Sequence, residues 1–62
     1  MNDIELLQYV HETAEMGIQG LSSLDGQVRD DGLRRVLGQQ SAEYRRIADQ
    51  AEQLLRSLGE EP

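Results

Sequence analysis

Leu33, Leu37, Gln40, Tyr44, Ile47, Ala51, Leu54 and Leu58 follow one another at steps of 4, 3, 4, 3, 4, 3 and 4. Such spacing keeps every member on one side of an α-helix and fits no face of a strand. Val36, Ala48 and Leu55 stand beside this line and widen it. In the first half, Leu7, Ala14, Leu21 and Val28 recur every seven residues. Val10, Gly17 and Leu24 flank that row on one side, and Ile4, His11, Ile18 and Asp25 on the other. Both halves therefore read as amphipathic helices with broad apolar faces. The expected fold class is all-α, a single unit over residues 1–62 with helices at about 3–28 and 31–58.

The ends of both helices carry recognisable signals. Asn2 or Asp3 is placed to cap the first helix, and acids in its first turn suit the helix dipole. Asp30 or Asp31 is placed to cap the second, and Gly59, followed by two acids and Pro62, reads as its stop. The connection "VRDDG" is short enough to fold the two helices back on each other as an antiparallel hairpin. Positions summing to about 61 then lie level, which sets Val28 beside Leu33, Leu21 beside Gln40 and Leu7 beside Leu54. A rival break stands one turn earlier at Asp25–Gly26, and the later one is favoured because Val28 continues the heptad. Asp30–Arg34, Asp31–Arg35 and Glu52–Arg56 are i,i+4 pairs in the favourable acid-first order, worth ~0.2–0.5 kcal/mol each.

A hairpin of 62 residues has little core of its own, worth rarely more than ~3–5 kcal/mol. The usual remedies are disulfides, a structural metal or oligomerisation. Cysteine is absent and there is one histidine, so disulfides and a closed Cys/His zinc site within one chain are excluded. Each helix carries an apolar face broader than one partner helix covers. Two hairpins packed face to face would bury it, giving a homodimeric four-helix bundle. Leu7, Ala14, Gly17, Leu21, Leu37, Gln40, Tyr44, Ile47 and Leu54 are the expected interface residues.

The chain carries a formal charge of −6, unevenly placed. From Asp3 to Val28 there are five acids and no Lys or Arg, whereas five arginines lie between Arg34 and Arg56. An acidic helix 1 beside the arginine-bearing helix 2 of a second copy is the favourable pairing. The balance argues against nucleic acid and anionic membrane surfaces as partners. No membrane span or signal peptide is evident, so a cytoplasmic protein is expected. A further protein partner, a basic one docking on helix 1, is a distinct expectation.

Few residues invite a chemical reading. Gly17 and Gly20 each cost ~1 kcal/mol in a helix interior, and a close approach to Tyr44 and Gln40 would account for them. Gln40, an amide on the core line of helix 2, is of the kind that sets register in a seam. His11 has Glu15 one turn on and Gln8 three before it. Di-iron bundles require Glu-x-x-His on two of their helices, and "QYVH" has Gln where that motif has Glu. A metal site formed across the dimer by His11, Glu15 and Glu43 is the alternative reading. Glu12, Glu15 and Glu43 otherwise read as solvated edge residues rather than acid–base partners. No nucleophile constellation or phosphate loop is present, and neither catalysis nor a cofactor is expected.

The stretches "LLQYVHETAEMGIQGL" and "LGQQSAEYRRIADQAEQLL" resemble small ferritin-like helical proteins of anaerobic Firmicutes. The matching features are "AEMG" at Ala14–Gly17 and the trio Gln40, Glu43 and Tyr44. The resemblance runs over essentially the whole chain. It implies a hairpin of the ferritin-like bundle type and no established activity; the two wide apolar stripes in a cysteine-free chain this small point to a structural or interaction module. Some of those proteins continue with further helices, which is compatible with this chain being an N-terminal half. Without Glu-x-x-His, iron chemistry does not carry over.

Overall fold

Asn2 starts the first helix: its backbone is extended and its Oδ1 accepts from the Glu5 amide at 2.8 Å. This satisfies one of the free amides that every helix leaves at its first turn. In the computed structural model, which describes residues 1–62, helix α1 spans Asp3–Asp25 and helix α2 spans Asp31–Ser57. Asp30 caps α2 in the same way, accepting from the Leu33 amide at 2.7 Å. The far end of α2 closes on Gly59, whose φ of +79° is the left-handed conformation glycine adopts without penalty. The Glu60 amide donates to the Leu55 carbonyl and the Gly59 amide to that of Arg56. This is the paired 6→1 and 5→2 closure that ends many helices.

Helix α1 stops at Asp25, one turn before the expected end near residue 28. The break at Asp25–Gly26 wins over the heptad carried by Val28. The Gly26 amide donates to the Leu24 carbonyl, and the Gln27 amide does the same at 2.9 Å. Val28 still serves the fold, half-buried in the connection, with its carbonyl held by Arg34 Nη2 at 2.6 Å. Arg34 is therefore committed to the loop. No ion pair forms at Asp30–Arg34 or Asp31–Arg35, whereas Glu52–Arg56 does form, at 2.5 Å.

The two helices pack antiparallel, with Tyr44 lying against Gly17, in keeping with the position sum of 61. The line of contact on α2 runs through Leu37, Ser41, Tyr44, Ala48, Ala51 and Leu55, again at steps of 4, 3, 4, 3 and 4. Ala14, Ala48, Ala51 and Leu55 are the fully buried residues, and Leu55 is 0% exposed. Small residues on both sides of the seam let the helix axes come close, and Tyr44 and Leu55 supply the bulk. Relative to the expected core line, α2 is turned so that Ala48 and Leu55, rather than Ile47 and Leu54, face α1. Gln40 is correspondingly exposed and is not a seam amide within the hairpin.

Gly17 is where the fold depends on a missing side chain. A Cβ there would meet the Tyr44 ring at 3.1–3.2 Å, closer than side chains normally tolerate. Gly17→Leu is expected to force the ring out of the seam and destabilise the hairpin by about 1–3 kcal/mol. A thermal melt of the variant equal to the parent would contradict the close approach. Gly20 differs: nothing lies within 4 Å of where its Cβ would be, so the hairpin itself does not account for it.

Candidate interaction face

The hairpin is a rod 43 × 16 × 14 Å, a single pair of helices thick. Its radius of gyration, 13.8 Å, exceeds the roughly 10.6 Å of a compact domain of this length. A rod of this kind has two long sides between the helices, and here they differ in chemistry.

One side is polar. His11 sits at its centre with 18% of its side chain exposed, Nε2 lying 3.8 Å from Glu15 Oε1 and 3.9 Å from Glu52 Oε2. Glu52 in turn holds Arg56 through its other oxygen. A shallow groove on this side is lined by Gln8, His11, Glu12, Glu15, Glu61 and Pro62. Further along, Ser22 and Asp25 face Ser41 and Arg45 across the helices. Sequence reasoning paired His11 with Glu15 but missed Glu52, which only the antiparallel register brings within reach. Glu43, the third member of the expected metal set, is elsewhere: it pairs with Arg46 at 2.9 Å. No group of three or more His, Cys, Asp or Glu side chains is placed to hold a metal ion. The trio His11, Glu15 and Glu52 is better described as a polar cluster bridging the helices, with Glu52 engaged by Arg56.

The opposite side is apolar. A groove there is lined by Tyr9, Val10, Thr13, Ala14, Tyr44 and Ile47. At 100° per residue, the face around it takes Leu6, Tyr9, Val10, Thr13, Gly17, Gly20 and Leu24 from α1. From α2 it takes Leu33, Val36, Gln40, Ile47, Leu54 and Leu58. None of these thirteen side chains is charged. Tyr9 is 59% exposed, and Leu54 and Leu58 are each 53% exposed. Leu6, Leu24, Leu33, Val36 and Ile47 are also substantially open. Isolated surface leucines are ordinary, but an unbroken charge-free face along both helices is not.

The expected interface residues divide between two surfaces. Leu7, Leu21 and Leu37 lie in the seam between α1 and α2, Ala14, Gly17 and Tyr44 lie where the seam meets the open face, and Gln40, Ile47 and Leu54 lie on that face. No helix is long and apolar enough to cross a membrane. Comparison with known protein families, curated proteins and solved structures finds no match to this chain.

Proposed function

We propose that this chain is a self-associating interaction module, in which two hairpins meet through the charge-free face to form a homodimeric four-helix bundle of the ferritin-like type. The observation that carries the reading is the face itself: thirteen uncharged residues on one side of a rod whose other side is polar, with His11, Glu15, Glu52 and Arg56. Areas support it. The hairpin exposes 4802 Å². A compact monomer of 7.0 kDa would expose about 4000 Å². The excess, roughly 800 Å², is the share that each partner contributes to an interface of standard size. Gly20 fits the same account, since its missing side chain is open within one hairpin and sits where a second copy would press closest.

No catalytic role is part of this proposal. The metal-dependent alternative, a site formed across the dimer by His11, Glu15 and Glu43, would have to compete with Arg46 for Glu43. A dimer unfolds with a midpoint that rises with protein concentration, whereas a monomer's does not move. Melts followed by circular dichroism over a hundredfold range of concentration should show that rise. A midpoint independent of concentration would contradict self-association.

A further inference from the structure

The four fully buried residues, Ala14, Ala48, Ala51 and Leu55, all lie in the half of the hairpin that carries the chain termini. His11 approaches Glu52 across the helices in that half, and the Tyr44 ring lies on Gly17 at its inner limit. Beyond that limit, from Ile18 through the connection to Ser41, no residue is buried. Ile18, Leu21, Val28, Leu37 and Ser41 are the half-buried ones, and the rest are exposed. No hydrogen bond or ion pair joins α1 to α2 there. The side chains of Ser23, Gln27 and Arg34 donate instead to carbonyls close by in the sequence. An open groove lined by Leu21, Ser22, Leu37, Gly38 and Ser41 runs between the helices.

Helix propensity falls in the same half. Gly20 and Gly38 sit in helix interiors, where glycine is the least favourable residue after proline. Tyr44 accounts for Gly17, but nothing lies within 4 Å of a Cβ at Gly20 or at Gly38. No contact within the hairpin compensates either of them. A helical segment with few buried apolar contacts and weak propensity opens at a lower free energy than its neighbours. Large apolar side chains are nonetheless present in this half. Leu24, Leu33 and Val36 stand substantially exposed, all three on the charge-free face.

Resting on the self-association proposed above, we infer that the hairpin is a two-part device. The terminal half holds together in the single chain. The loop half, residues 18–41, opens independently of it until a second copy covers Leu24, Leu33 and Val36. A segment that gains its burial from a partner is ordered as it binds, and the ordering entropy is subtracted from the affinity. The association is therefore weaker than the area of the face alone implies, which suits a contact that forms and releases. The state of the loop half reports whether the partner is present.

Amide hydrogen exchange read by mass spectrometry on peptic fragments tests this, with the mass taken by sedimentation equilibrium at the same concentrations. In the monomer range, residues 18–25 and 35–41 should exchange on the order of tenfold faster than 7–14 and 46–55, after correction for intrinsic rates. Each uncompensated helix glycine alone is worth about fivefold in opening. In the dimer range the loop half should slow by on the order of tenfold or more. Gln50→Gly weakens the exposed side of α2 in the terminal half. It should speed exchange of 46–55 about threefold and leave the loop half unmoved, because opening the loop half does not unfold residue 50. Equal protection along both helices in the monomer, or loop-half exchange that follows Gln50→Gly, would overturn the two-part hairpin. A dimer mass with a loop half no slower than in the monomer would overturn its ordering by the partner and leave self-association standing. A monomer mass throughout would overturn both.

Discussion

Leu54→Asp should release the dimer into monomers. Leu54 is 53% exposed in the hairpin, so within one chain its replacement removes little packing. Across the proposed interface it introduces a carboxylate into each half of a charge-free surface, with no cation of either face to receive it. Desolvating an unpaired charge is costly, and the symmetry counts that cost twice. Association is expected to weaken on the order of 100-fold or more, equivalent to about 2.7 kcal/mol. Gln53→Asp is the matched control. It adds the same charge one residue earlier in α2, on the border away from the face, and should leave the mass unchanged. If Leu54→Asp retains the parent's mass at micromolar concentration, the open face is not the interface.

Leu55→Ala acts on the other surface and should cost the hairpin itself. Leu55 is the one large side chain with no exposure, and it fills the end of the seam below Ala48 and Ala51. Truncating a buried leucine removes about 2–5 kcal/mol, depending on how far the surroundings collapse into the space. That is comparable with the whole stability of a core this small. The variant is therefore expected to lose much of its helical circular dichroism at 25 °C, and Leu54→Ala to lose far less. Neighbouring leucines with opposite consequences would separate the inner seam from the outer face. A Leu55→Ala melt within a few degrees of the parent would mean that Leu55 is not the anchor of the seam.

Much of the hairpin was legible because helix ends and heptads are local signals. The caps at Asn2 and Asp30, the stop at Gly59 and the level pairing of Gly17 with Tyr44 all follow from short stretches of sequence. The rotation of α2 was not legible. Ile47 and Ala48, like Leu54 and Leu55, are adjacent pairs straddling one broad stripe, and periodicity does not say which member turns inward. Close approach decides it: alanine at positions 48 and 51 admits the backbone of α1, and Ile47 would hold it off. The same choice carries Gln40 outward. The end of α1 was misjudged for a related reason, since Val28 keeps the heptad spacing while the chain has already left the helix at Gly26.

The polar side was partly legible. His11 and Glu15 are one turn apart on one helix, so their proximity is written in the spacing. Glu52 is 41 positions from His11 in the sequence, and only the antiparallel register brings it to the imidazole. Within one hairpin Glu43 is apart from His11 and pairs with Arg46, so any meeting of the two would have to come from a second copy. The separation of an apolar side from a polar one is the feature that sequence and structure together make plain, and the proposed interaction role rests on it.

Sedimentation equilibrium of the unmodified chain, from low micromolar to several hundred micromolar, tests that role most directly. The account predicts a mass of twice 7.0 kDa over the upper part of that range, returning towards 7.0 kDa on dilution. A well-folded species that stays at 7.0 kDa throughout would contradict it.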